Sequence, residues 1–218
     1  MVLGIVGKIG SGKSTAIEYI KKNYDAIVFS CDEIAKDIIE KGETDYEPGF
    51  AGEIFINEKK QEECRTILHP LVFRRIYGNI CKIMNENNFN NISNKNNRNA
   101  KKTEKLENNK GLFEPSRIKE NFKNKNNLIL IESALPSDEM YKMCDKVIYI
   151  DSSFEDRVKR LKESRDYSEA KTKLIYNSQE YYEKYYNMAD YKIYNNGTKE
   201  ELEEKVKEVL DEIYITCK

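Results

Sequence analysis

Gly7-Lys8-Ile9-Gly10-Ser11-Gly12-Lys13-Ser14, followed by Thr15, satisfies every fixed position of the phosphate-binding pattern G-x-x-x-x-G-K-[ST]. Val2 to Val6 before it is a short apolar run of the kind that forms a buried parallel strand. Ala16 to Lys22 after it carries helical spacing, with Ile17 and Ile20 on one face. Strand, glycine turn and helix is the context that this pattern requires. The glycines let successive N–H groups point inward at phosphate oxygens, and the helix adds its positive end. Lys13 supplies a point charge for the terminal phosphates, and the Ser14 hydroxyl can take one position on an octahedral Mg²⁺. The expectation is a nucleoside triphosphate site, which by itself does not name a reaction.

The chain has 218 residues, enough for one good core with a small excursion. Its 37 basic and 38 acidic residues nearly cancel, so no overall field favours nucleic acid or a membrane surface. Five cysteines show no C-x-x-C spacing and His69 is the single histidine, which argues against zinc and against a disulfide framework. Met1 leads straight into the first apolar run, and no apolar run approaches membrane-spanning length. A cytoplasmic protein is expected.

Asp25 to Ser30 reads as a second strand, and Cys31 to Ile39 as the helix after it, with Ile34 and Ile38 spaced for burial. Asp32 stands at that junction, on the edge where open parallel sheets form their ligand crevice. It is equally a candidate helix N-cap, and the two roles are compatible. A polar loop over Gly42 to Gly49 precedes helical patterns over Phe50 to Ile56 and Lys59 to Leu68. His69-Pro70 is expected to break the helix before another runs from Leu71 to Met84, and a lone histidine there reads first as structural.

Residues 85–127 differ in composition, with fifteen asparagines and eight lysines and few apolar residues. Such a segment cannot bury enough surface to offset its ordering entropy, so a mostly disordered insertion is expected. It lacks regularly spaced aromatics for stacking on nucleic acid. Asn94-Lys95-Asn96-Asn97 and Asn124-Lys125-Asn126-Asn127 both miss the final Asp of a guanine-reading motif, which argues against a GTPase.

Leu128 to Ile131 is a continuous apolar strand ending in Glu132-Ser133, where a carboxylate can organise the water shell of Mg²⁺. Lys146 to Asp151 is the next strand and Phe154 to Lys162 its helix. Arg157, Arg160 and Arg165 then gather before a Tyr/Glu/Lys-rich helical region reaching Asn187. They read either as a solvated helix face or as a phosphate-clamping lid. Tyr191 to Tyr194 is a final strand and Asn195-Asn196-Gly197 a turn. Thr198 to Tyr214 is a closing helix, with Thr198 as N-cap and Glu201 at the capping-box position.

Taken in order, these segments resemble the dephospho-coenzyme A kinase family. The likeness rests on the P-loop, Cys31-Asp32-Glu33-Ile34-Ala35-Lys36, Phe50 to Phe55 leading to Leu68-His69-Pro70, and Ile131-Glu132-Ser133-Ala134-Leu135. It continues through Arg160-Leu161-Lys162-Glu163-Ser164-Arg165, Asn177-Ser178-Gln179, Ala189-Asp190 and Asn195-Asn196-Gly197. The resemblance implies one α/β domain over residues 1–218, a P-loop kinase fold with a five-stranded parallel sheet flanked by helices. It implies a helical substrate-binding excursion over 36–84, interrupted afterwards by the 85–127 insertion, and a lid over 152–187.

It further implies ATP with Mg²⁺ and transfer to the ribose 3′-hydroxyl of dephospho-coenzyme A. Asp32 would serve the acceptor hydroxyl, Arg160 and Arg165 the transferring phosphoryl, and Lys13 both catalysis and ATP. Residues Gly7 to Thr15 and Asn195 would hold the nucleotide, Ser14 the metal, and Asp32 with His69 the substrate. The implied partners are small molecules, with no nucleic acid or membrane, and a monomer or small homo-oligomer. Ser30 and Ser137 depart from acidic residues usual in that family, and the Glu40 to Phe50 segment is short for it. Another small-molecule kinase on this fold, or a relative that binds nucleotide without chemistry, are the alternatives.

Overall fold

The computed structural model describes residues 1–46, 57–93, 128–179 and 183–216. The expected helix over Phe50 to Ile56, both Asn-Lys-Asn-Asn segments and most of the Asn/Lys-rich stretch lie outside these residues. Five strands, β1 (Val2–Val6), β2 (Ala26–Ser30), β3 (Leu128–Ser133), β4 (Lys146–Asp151) and β5 (Tyr191–Tyr194), form one sheet. Their order is β2-β3-β1-β4-β5, and every pairing is parallel. The central strand is the first in sequence, so the phosphate-binding turn leaves the middle of the carboxyl edge.

Strand alternation sorts the core into two layers. Val2, Val6, Ile129, Ile131, Val147 and Tyr149 point to one face, and Leu3, Ile5, Leu130, Ile148 and Ile150 to the other. Because both faces are covered, β1, β3 and β4 read as continuous apolar runs rather than as alternating ones. The second face is closed by α1 (Lys13–Asn23) and the last helix, Lys199–Thr216. In that helix Leu202, Val206, Leu210 and Ile213 recur at helical spacing and are all buried. Its start is the expected capping box. The Thr198 N–H donates to the Glu201 carboxylate at 3.0 Å, and the Glu201 N–H donates to the Thr198 hydroxyl at 3.3 Å.

The first face is covered by α2 (Cys31–Glu40) and by a long helical passage. That passage runs from α3 (Glu58–Glu63) through a π turn (Cys64–Leu68) into α4 (His69–Ser93). His69-Pro70 therefore does not break the helix, contrary to expectation. The turn widens instead: the His69 N–H bonds the carbonyl of Cys64, five residues back, and His69 keeps helical angles. Widening the turn before Pro70 accommodates a ring with no N–H to continue the ladder. The helix also runs nine residues into the stretch set apart by composition. Arg75 on α4 binds Asp37 of α2 at 2.5 Å and Glu43 of the following turn.

Ser30 is the N-cap of α2, its hydroxyl accepting from the Glu33 N–H. Asp32 is therefore not the cap, and that alternative reading is corrected. Asp190 accepts from the Val147 N–H at 2.8 Å and pairs with Lys146. Among the described residues no helix is long and apolar enough to cross a membrane.

Ile76 is wholly buried on α4 against the first face. Ile76→Ala is expected to destabilise the protein by about 3 kcal/mol, from lost transfer energy plus a cavity. Urea denaturation should show a lower midpoint at an unchanged slope.

Candidate functional site

All five strands end at one edge, and each end delivers a polar group there. β1 delivers the turn of residues 7–12, β2 delivers Asp32 just beyond it, and β3 delivers Glu132. β4 ends in Asp151 and β5 leads into Asn195. This is the crevice that a parallel sheet creates where its strand order reverses about β1.

The turn is packed from beneath as well as curled above. A Cβ at Gly7 would lie 2.2 Å from the Ile150 carbonyl oxygen, and one at Gly12 would lie 2.2 Å from the Asn195 side-chain nitrogen. Both glycines also have φ in the left-handed region, at 152° and 105°. Asn195 donates to the Ser11 carbonyl at 2.8 Å, and its own N–H donates to the Asp151 carbonyl at 2.7 Å. Arg160 reaches across to donate to the Asn195 carbonyl at 2.9 Å. The three ends of β1, β4 and β5 are thus tied together under the loop.

Lys13 is buried at the start of α1, where its ammonium donates to the Gly7 carbonyl at 3.0 Å and lies 3.6 Å from Glu132. Glu132 in turn accepts from the Ser30 hydroxyl at 3.0 Å. A serine at position 30 therefore both caps α2 and steers the carboxylate that faces Lys13. Ser14, one residue on, is exposed at the first turn of the helix.

Beside this charge row lies a cavity of about 270 Å³. Asp32, His69, Arg165, Tyr167 and Lys171 line it together with an apolar wall that includes Leu68, Val72 and Ile175. Asp32 is solvent-exposed by surface area because it faces the cavity, yet enough protein surrounds it to perturb its ionisation. Burial raises its pKa first and Glu132 adds to this, while Lys13 and Arg165 pull it down. The result is a carboxylate that holds a proton better than a free aspartate but remains flanked by two cations. Burial also pushes the Cys31 thiol well up and the Cys64 thiol up to about 12, so both wall thiols are neutral.

After α5 (Asp138–Met143) and β4, the segment expected to form a lid holds α6 (Phe154–Arg165), α7 (Glu169–Ser178) and α8 (Glu183–Met188). Sequence grouped three arginines here, and the structure separates them. Arg165 lines the cavity with Asp32, and Arg160 is anchored to Asn195. Arg157 is buried, bonding Asp151 and the Ser152 hydroxyl and facing the ring of Tyr176. It is a structural residue. The Lys8 ammonium lies 4.4 Å from the Tyr176 ring centre and 3.2 Å from Glu183.

Tyr167, Lys171 and Gln179 were not singled out by chemistry in the sequence. Gln179 entered only through the Asn177-Ser178-Gln179 likeness, with no role assigned; Tyr167 and Lys171 fall in a helical region rich in Tyr, Glu and Lys, where an anonymous polar residue reads as surface. The cavity exists only once α7 folds back over α2 and α4.

No family model matches the chain. A dephospho-CoA kinase of Fusobacterium nucleatum is 29% identical to it over 219 residues, covering 98% of each sequence. Among solved structures, a Thermus thermophilus protein superposes with a TM-score of 0.61 at 19% identity, covering 97% of both chains. Dephospho-CoA kinase from Campylobacter jejuni gives 0.51 at 18% identity, over 97% of this chain and 96% of the other. Shikimate kinase from Acinetobacter baumannii gives 0.54 at 13% identity, over 99% and 93%. The chain has the P-loop kinase fold.

His69 is buried at the cavity wall, its Nδ1 without a partner among the described residues and its ring edge-on to Phe73 at 5.8 Å. Burial lowers its pKa from 6.5 to about 4, so it is neutral at neutral pH. The unfolded chain takes up that proton near pH 6.5 and the folded chain only near pH 4. Between these values the unfolded state binds more protons, so stability falls as pH falls through the window. The loss by pH 4 is on the order of 3 kcal/mol. Urea midpoints at pH 7, 6 and 5 should therefore drop less steeply in His69→Asn than in the wild type.

Proposed function

We propose that this protein is an ATP-dependent kinase whose acceptor is the ribose 3′-hydroxyl of dephospho-coenzyme A. The observation that carries the reading is the placement of Asp32. It lines the cavity together with Arg165, and it feels the charges of both Arg165 and Lys13 at the end of the phosphate-binding turn. The full-length similarity to the Fusobacterium nucleatum dephospho-CoA kinase supports this acceptor. The lining supports it too. Two lid cations, a tyrosine and an extensive apolar wall suit an amphipathic nucleotide derivative better than a small polyhydroxy acid.

The residues present fit a bound nucleotide and metal. Gly7, Gly10 and Gly12 hold the loop in positive-φ backbone closed to other residues, and Ser14 exposes a hydroxyl where the loop meets α1. When bound, Mg²⁺ neutralises phosphate charge, and Ser14 is the residue that would hold it. Lys13 would hold the terminal phosphates, displacing its ammonium from the Gly7 carbonyl and Glu132 toward the nucleotide. The Asn195 turn would border the base.

Asp32 orients the acceptor hydroxyl and takes its proton as the oxygen attacks. Its raised pKa makes it a better base than an ordinary aspartate, and the adjacent cations keep it ionised enough to act. Arg165 stabilises charge on the transferring phosphoryl, and Arg160 holds the turn at residue 195 in register with the loop. Neutral His69 presents an uncharged ring to the substrate arm. Most of the rate then comes from positioning two substrates across one sheet edge.

A coupled ADP-release assay with Mg²⁺-ATP, run with dephospho-coenzyme A, with shikimate and with nucleosides, tests the assignment. Turnover should depend on dephospho-coenzyme A; a preference for another acceptor would reject it. Asp32→Asn is expected to lower kcat by about 10²- to 10⁴-fold with little change in KM for ATP, because the carboxylate serves the acceptor. Lys13→Ala should damage both parameters.

A further inference from the structure

One lid helix touches both halves of the crevice. Lys171 and Ile175 of α7 line the cavity, while Tyr176 on the same helix lies against Lys8 of the phosphate-binding turn. Ile9 packs its side chain with Leu161 and Ile175. Immediately after α7 comes Gln179, wholly buried, whose backbone N–H closes the helix on the Tyr176 carbonyl.

The side-chain amide of Gln179 bonds two backbone groups that are remote in sequence. Its Oε1 accepts from the Ile9 N–H at 3.1 Å, and its Nε2 donates to the Ala134 carbonyl at 3.0 Å. The partners are one donor and one acceptor, so their polarity fixes which end of the amide is which. Ile9 belongs to the phosphate-binding turn, and Ala134 follows β3 next to Ser133 and Leu135, both of which line the cavity. One N–H of the loop is thereby turned away from phosphate and committed to the lid. Both bonds are buried, so losing either leaves an unpaired backbone group.

We propose that Gln179 is a positioning residue that locks the phosphate-binding turn to the acceptor wall and transmits nucleotide binding to the lid helix. This rests on reading the cavity as the acceptor site. Nucleotide that orders the turn also orders Ile9 and Lys8, and through Gln179 and Tyr176 it settles α7, with Lys171 and Ile175, over the cavity. A residue that only stabilised the fold would lower the melting temperature without uncoupling the two sites.

The test uses the full chain and Q179M, which keeps side-chain volume while removing both hydrogen bonds. Hydrogen-exchange mass spectrometry is run with and without Mg²⁺ and a non-hydrolysable ATP analogue, at concentrations shown to saturate by calorimetry. In the wild type, nucleotide should slow exchange across residues 169–178 about tenfold, within the usual range of coupling between sites. In folded Q179M that slowing should vanish. kcat should fall about 100-fold while KM for ATP stays within about threefold, as expected from misplacement rather than lost binding.

Q179E keeps an acceptor for Ile9 but sets a carboxylate against the Ala134 carbonyl, and carries the test if Q179M does not fold. It should retain nucleotide affinity and lose turnover. Equal slowing in wild type and variant, no slowing in nucleotide-bound wild type, or wild-type turnover in Q179E would each overturn the proposal. Coupling without turnover of dephospho-coenzyme A would reject that acceptor and leave the role of Gln179 standing. No nucleotide binding by the wild type would remove both.

Discussion

The structure depends on the close approach of β1, β4 and β5 beneath one glycine turn. Gly7 meets the Ile150 carbonyl, and Gly12 meets Asn195, at distances that exclude any side chain. That contact places the loop at the middle of the carboxyl edge, with Lys13 directed back over it. Parallel pairing makes this possible, since all five strands then finish on the same side. The polar groups of the crevice are consequences of where the strands stop.

Charge in the crevice alternates. Lys13 lies next to Glu132, burial and then Glu132 raise the pKa of Asp32, and Lys13 and Arg165 pull it back down. The acidic and basic groups hold one another within a partly enclosed space where their interactions are stronger than in water. The adjoining wall is neutral by contrast, because burial keeps Cys31, Cys64 and His69 uncharged at neutral pH. A charged wall and a neutral wall thus lie side by side in one cleft. The segment from α6 to the end of α7 reaches both, with Arg165, Tyr167 and Lys171 on the cavity side and Tyr176 and Gln179 on the loop side.

Much of this was legible in the residues. The phosphate-binding pattern between an apolar run and a helical one predicts β1 and α1, and both form as expected. The apolar runs beginning at Leu128 and Lys146 predict central strands, since strands covered on both faces cannot alternate. The last helix was legible down to its capping box because those contacts are local in sequence. Where local rules competed, they misled. A proline after His69 suggested a helix end, but packing of Leu68, Val72 and Ile76 against the sheet sustains the helix through a widened turn.

The sequence by itself determined the elements, the loop that meets phosphate, and the residue types offered at each strand end. These follow from the pitch of helices and strands and from glycine's backbone freedom, which act over a few residues. Tertiary structure alone decided how the three clustered arginines divide, sending Arg165 to the cavity, Arg160 to Asn195 and Arg157 to Asp151. It alone gave Gln179, a polar residue with no role assigned from sequence, its place as a bridge between Ile9 and Ala134. Those roles depend on contacts between segments far apart in the chain, and a side chain's partners there are set by packing, which no local pattern encodes.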